Sequence, residues 1–213
     1  MIDTELIKNK YSRKLPLFYK KSPLFNLYRR RAINNSSIKA GHTVMVFCCG
    51  PGNDLPYIME KTGPEGKIIA MDFSQTMLDQ SAELADNNGW KNIDFIQADA
   101  AAFDYSSHFN KKAHACICTL GLSIIPNYKD AFYNLINSVK QKGEIIIGDL
   151  QSATGFWSIF NPLIISIARP YGGTKEGHDN SRRVFELMRK ECEDIKKKEF
   201  LFNGYYYAIG KKR

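Results

Sequence analysis

Short apolar runs alternate with amphipathic stretches along this chain. Residues 43–48, TVMVFC, form an unbroken apolar run, and GKIIAMDF (66–73), IDFIQ (93–97), AHACICTL (113–120) and GEIIIGDL (143–150) follow it. Runs of this kind suit parallel strands covered on both faces. Between them, residues 53–62, 74–87 and 127–143 carry apolar positions at helical spacing, closed by Gly63, by Asn87-Asn88-Gly89 and by Gly143. Ser22-Pro23 reads as an N-cap followed by a first-turn proline and opens a further helix over 23–34. Strand–helix alternation predicts an α/β fold, a doubly wound sheet with helices on both faces.

The tail departs from this pattern. A charged amphipathic helix is predicted over 181–194, then two aromatic strands within 198–210 around Asn203-Gly204, a strong hairpin signal. The sheet is therefore expected to end in antiparallel strands. A length of 213 residues fits one domain: a helical lid segment over 1–40 and a main domain over 41–213.

Charge changes the picture at one place. The net charge is +8, yet no acidic residue lies between Glu5 and Asp54, a stretch with ten lysines and arginines interleaved with Tyr11, Phe18, Tyr19, Phe25 and Tyr28. Such a segment is either a solvated helical face or a contact for anionic lipid or nucleic acid. Five cysteines without a CxxC pair argue against a zinc site or a disulfide framework, and no metal is expected. The polar N-terminus and the lack of a long apolar run lead to the expectation of a cytoplasmic protein, with peripheral membrane contact as the finer reading.

Candidate chemistry starts at VMVFCCGPGND, residues 44–54. A strand that runs into a glycine turn and a helix start gathers backbone N–H groups at one point. Gly50 and Gly52 are present, but Leu55 stands where a dinucleotide fingerprint has its third glycine. Asp72 ends the second strand twenty residues after Gly52, where an acid can hydrogen-bond a ribose diol.

With these residues the chain resembles the class I S-adenosylmethionine-dependent methyltransferases, most strongly over residues 40–150. The family's loop usually reads acid, apolar, Gly, Cys, Gly, Thr, Gly. Here the run is Val46, Phe47, Cys48, Cys49, Gly50, Pro51, Gly52, so the acid is replaced by Val46 and the first glycine by Cys48. The resemblance implies a seven-stranded, mainly parallel sheet and S-adenosylmethionine as cofactor. It implies that the loop from Cys49 to Gly52 cradles the amino-acid end of that cofactor, with Asp54 or a backbone carbonyl standing in for the missing acid. MDFSQTMLDQSAE (71–83) implies Asp72 on the ribose, Phe73 beside the adenine and Met77 packed near it. FIQADAAAF (95–103) implies Asp99 as acceptor for the adenine amino group and Ala100 as a backbone donor. Thr119 at the exit of the fourth strand and a lid tyrosine at Tyr19 complete the implied cofactor set.

The acceptor is less legible. Ligands of open α/β sheets bind beyond the carboxyl ends of the strands, so Asp149, Ser123, Tyr171 and His178 are candidates there. Asp149 is the candidate to hold a cationic or proton-donating acceptor, or else caps local backbone, and His178 is the candidate base. His42 and His114 precede their strands, at the other edge. No Asn/Asp-Pro-Pro-Tyr/Phe run and no Pro-Cys follows the fourth strand, which argues against methylation of DNA bases. The apolar stretch 155–173 either covers the sheet, builds an acceptor site or dips into a lipid interface. A weaker similarity to phosphatidylethanolamine and quinone methyltransferases implies a small-molecule or lipid-like acceptor. The alternatives are a non-catalytic protein on the same scaffold and an RNA methyltransferase.

Overall fold

The computed structural model describes Asn9, Tyr11, residues 23–169 and residues 172–213, with only the backbone of Ile167. Tyr19, Tyr171 and half of the segment expected to form a lid lie outside the described residues.

Helix α1 (Pro23–Asn34) leads into β1 (Thr43–Phe47), α2 (Leu55–Thr62), β2 (Lys67–Asp72), α3 (Gln75–Asn87) and β3 (Ile93–Gln97). Then come β4 (Ala113–Thr119), α4 (Tyr128–Asn137), β5 (Val139–Leu150), α5 (Asn161–Ala168), α6 (Lys175–Glu191), β6 (Cys192–Phe200) and β7 (Tyr205–Lys212). Among the described residues the sheet has seven strands in the order β3-β2-β1-β4-β5-β7-β6. Strands β1 to β5 pair in parallel, while β7 runs antiparallel to both β5 and β6.

The period of two along the strands sorts the core into two layers. Met45, Phe47, Ile69, Met71, Ile145 and Ile147 face α4 and α6, against Phe132, Leu135, Val184 and Met188. Val44, Val46, Ile68, Ala70, Ile117 and Ile146 face the other way, onto Ala32 and Ile33 of α1, Leu55 and Ile58 of α2 and Leu78 of α3. Full burial of such side chains stabilises the fold by about 1.5–3 kcal/mol each.

Three boundaries differ from the sequence expectation. The helix expected over 127–143 stops at Asn137, because Val139 already pairs with Ala113 and so begins β5. The helix expected over 181–194 begins at Lys175, where the Thr174 side chain caps it by accepting from Gly177 N and satisfies one of the orphan donors of the first turn. The hairpin turns over four residues rather than two: Leu201, Phe202 and Asn203 all have left-handed backbones, and Gly204 N donates to Leu201 O at 2.9 Å.

Candidate active site

A cavity of about 450 Å³ opens at the carboxyl edge of β1, β2, β3 and β4. Its floor is the β1–α2 loop. Gly50 has φ +54°, the left-handed region that glycine enters without a Cβ clash. Its N–H donates to Asp72 Oδ2 at 2.9 Å, and Ser74 N donates to Asp72 Oδ1 at 3.0 Å. The Asp72 carboxyl is buried, which pushes its pKa up against these backbone hydrogen bonds that pull it down. A carboxylate offers about four acceptor sites, so these backbone donors leave acceptor capacity on a side chain that lines the cavity.

Cys49 and Pro51 also line the floor. Gly52 does not. A Cβ there would meet Ser81 Oγ at 2.7 Å, so Gly52 lets the loop pack against α3 rather than against a ligand. Cys48 is also left-handed, at φ +54°, in the place where the resembling loops carry glycine. Room for its side chain comes from Gly121, where a Cβ would stand 2.7 Å from Cys48 Cβ and 2.9 Å from Cys118 Sγ.

Val46 is fully buried between the sheet and its helices and cannot reach a ligand. Polar chemistry on that side comes from three other residues. Asp54 occupies the N-cap position of α2 without capping it. Its carboxylate turns instead to Thr119, whose hydroxyl donates to Oδ2 at 2.6 Å, and to Arg29, whose Nε lies 3.4 Å from Oδ1. Arg29 Nε also donates to Thr119 Oγ1 at 3.1 Å, and Nη1 donates to Asn26 Oδ1 at 3.2 Å. Burial raises the Asp54 pKa, opposed by the Arg29 charge and then by the Thr119 hydrogen bond. Among the described residues, buried Asn53 Nδ2 finds no hydrogen-bond partner, and Asp54 Oδ1 has only the Arg29 ion pair. A buried donor without a partner, beside a carboxylate oxygen with unused acceptor capacity, is costly unless a ligand completes both.

The opposite wall holds flat and apolar surface. Tyr11 packs edge-on to Phe73, with ring centroids 6.2 Å apart, and its carbonyl accepts from Ser74 Oγ at 2.6 Å. Asp99 is exposed at the rim, and its Oδ1 accepts from Ala101 N at 2.8 Å. Ala100 lines the wall beside it, and Ile124, Ile125 and Pro126 close the far side. Met77 is fully buried behind the wall, packed with Tyr11, and does not line the cavity.

Both residues expected to act on the acceptor stand off the cavity wall. Asp149 accepts from Ser123 N at 2.8 Å, Ser123 Oγ at 2.7 Å and Leu150 N at 2.8 Å, the backbone-capping alternative. Burial pushes its pKa up to about 6. It anchors the short turn Leu122–Ile124, which carries Ile124 to the cavity. His178 is buried in α6, its Nε2 without a hydrogen-bond partner among the described residues, and burial drives its pKa down to about 4. His42 and His114 stack 4.3 Å apart at the amino edge of the sheet, away from the cavity. The stretch from Gly155 to Arg169 contributes nothing to the cavity wall.

Sequence reasoning missed Arg29. The signal was present: Phe25, Tyr28, Arg29, Ala32 and Ile33 share one helical face, which puts an arginine into an apolar stripe. Among the described residues no group of three or more His, Cys, Asp or Glu could hold a metal ion.

Comparison with known proteins agrees with the fold. A family model described as a methyltransferase domain matches residues 38–202. A demethylmenaquinone methyltransferase from Lactococcus lactis is 26% identical over 173 residues, covering 80% of this chain and 66% of that protein. A ubiquinone/menaquinone biosynthesis C-methyltransferase from Pseudomonas fluorescens is 25% identical over 134 residues, 62% of this chain and 50% of that protein. The chain thus spans roughly half to two thirds of the length of such relatives. A crystal structure of a SAM dependent methyltransferase from Aquifex aeolicus superposes with a TM-score of 0.69 at 14% identity, covering 100% of each chain. On the family model, which spans most of its length, the chain belongs to the methyltransferase-domain family.

Proposed function

We propose that the protein transfers a methyl group from S-adenosylmethionine to a small, amphipathic, quinone-like acceptor. The observation that carries this reading is the buried Asp54 carboxylate, whose Oδ1 is ion-paired with Arg29 but accepts no hydrogen bond among the described residues, in the same cavity as Asp72 and Asp99. A cation, a diol and an amino-bearing ring are the groups those three carboxylates suit. In this reading Asp54, neutralised on one side by Arg29, takes the cofactor's ammonium group where other loops use the acid replaced by Val46. Asn53 Nδ2 and the Arg29 guanidinium lie on the same side and suit its carboxylate. Asp72 holds the ribose hydroxyls with the acceptor capacity left by Gly50 and Ser74. Phe73 and Ala100 flank the adenine, and Asp99 accepts from its amino group. Tyr19 remains the proposed lid tyrosine.

When bound, the cofactor supplies an activated sulfonium methyl. The chain's own residues then position the acceptor and exclude water, the main terms for an in-line displacement. Thr119 and Ile124 border the space left for the acceptor. Asp149 acts through Ser123 as a positioning residue for that wall. The names of the relatives, a demethylmenaquinone methyltransferase and a ubiquinone/menaquinone biosynthesis C-methyltransferase, support a quinol-like acceptor for this chain. Contact with an anionic membrane through the basic N-terminal segment fits a lipid-soluble acceptor.

The test is a transfer assay with methyl-labelled S-adenosylmethionine and short-chain demethylated quinols. Label in the organic phase that disappears in Asp72→Ala supports the reading. Label on RNA, or on no acceptor despite tight cofactor binding, contradicts it.

A further inference from the structure

Among the described residues eight large apolar side chains are exposed: Leu24, Leu27, Tyr133, Phe156, Trp157, Ile159, Leu163 and Phe202. All but Tyr133 gather at one end of the molecule. The run from Gly155 to Leu163 follows the carboxyl end of β5, and the loop bearing Phe202 leads into β7 at Tyr205, which pairs with Leu150 at that same end. Phe202 stacks on Phe160 at 4.3 Å and meets Trp157 at 5.3 Å, so the hairpin loop and the stretch after β5 form one surface. Leu24 and Leu27 lie at the start of α1, whose Phe25 contacts Tyr205 at 5.8 Å. The cofactor cavity opens at this same edge of the sheet.

This surface was not shaped for water. Phe156 is 75% and Ile159 64% exposed. No charged residue occurs between Asp149 and Arg169. Contiguous apolar surface of this kind marks an interaction site. Cations exceed anions along its border: Arg31 lies over Phe200, next to the hairpin loop, Arg30 and Lys198 are exposed, and the exposed Glu199 is already paired with Lys197 at 2.6 Å. A second copy packed on the same patch would bring these cations together, which costs affinity. An anionic lipid surface complements them, and Trp and Phe favour its headgroup boundary.

We propose that this carboxyl-edge patch docks the protein on anionic membrane, so that the cavity mouth borders the bilayer and the acceptor enters from it. The inference rests on the reading of the acceptor as amphipathic. The probe is vesicles of phosphatidylcholine with and without phosphatidylglycerol, and the readout is quenching of tryptophan by brominated acyl chains. Trp90, just before β3 at the opposite edge, is the internal control. Trp157 should be quenched and Trp90 spared, as tested by Trp157→Phe and Trp90→Phe. Co-sedimentation with anionic vesicles should fall about tenfold or more in Phe156→Ser/Phe202→Ser, the scale of losing two buried aromatic rings, and should weaken with salt. Equal quenching of both tryptophans overturns the proposal. So does sedimentation unchanged by the double substitution, or a wild-type dimer that the substitution splits, since a second copy would then cover the patch. Titration with S-adenosylhomocysteine runs in parallel. If it binds in both proteins while vesicles do not, docking alone fails; if it binds in neither, the methyl-transfer reading fails.

Discussion

Arg29 Nε stands 3.4 Å from Asp54 Oδ1, with both side chains about 95% buried and Thr119 bonded to each. The pair links α1 to the loop after β1, so a helix outside the resembling core contributes to the floor of the cavity. Removing one partner of a buried pair leaves the other uncompensated and costs about 3–5 kcal/mol. Arg29→Met should therefore destabilise by that order, and Arg29→Met/Asp54→Asn by clearly less. Denaturant titration of the single and double variants checks this.

The same pair bears on ligand affinity. Asp54→Asn keeps the shape and removes the charge. Its affinity for S-adenosylhomocysteine should fall by about 10- to 100-fold, the worth of a charge-assisted hydrogen bond. Affinity for 5′-methylthioadenosine, which lacks the amino-acid end, should hold. Equal losses for both ligands would place Asp54 elsewhere in the site.

Asp149 and His178 set opposing pH dependences. The His178 pKa is lowered from 6.5 to about 4, so its contribution is present above 6.5 and lost as pH falls through about 4. The Asp149 pKa is raised from 3.8 to about 6, so its contribution is present below 3.8 and lost as pH rises through about 6. Each shift corresponds to about 3 kcal/mol, and the two oppose each other between pH 4 and 6. Asp149→Asn should show a steeper loss of stability than wild type on acidification across that window. Thermal melts from pH 7 to 4 read the difference.

Cys48 and Gly121 should behave as a complementary pair. Gly121→Ala places a methyl 2.7 Å from Cys48 Cβ. Overpacking of this kind costs about 1–3 kcal/mol. Cys48→Gly relieves the left-handed backbone and opens that space, so the double variant should recover part of the loss, as a double-mutant cycle by chemical denaturation would show.

The apolar runs placed β1 to β4 within a residue or two, since burial on both faces leaves a continuous signal that propensity does not contradict. Strand β5 began earlier than expected because its first turn looks helical, and only pairing with Ala113 overrides that. Of the site, Gly50, Asp72, Phe73, Asp99 and Thr119 were legible from spacing and resemblance, and all line the cavity. Met77 and Gly52 stand behind it, because helical spacing does not distinguish a packing residue from a lining one. Asp149 looked catalytic from its place at a strand end and His178 from the loop expected beyond it, which the structure folds into the first turn of α6. Which groups they bond, or fail to bond, is set by long-range packing that no local pattern encodes. Arg29 was hidden for the same reason: its partners lie 25 and 90 residues away.

The central claim is that the Asp72-bound loop holds S-adenosylmethionine. Calorimetric titration with S-adenosylhomocysteine, compared with NADH and repeated on Asp72→Ala, tests it most directly. The account predicts low-micromolar binding to the wild-type protein, no signal with NADH, and loss of binding in the variant. Absence of binding to the wild type, or binding that survives Asp72→Ala undiminished, would contradict it.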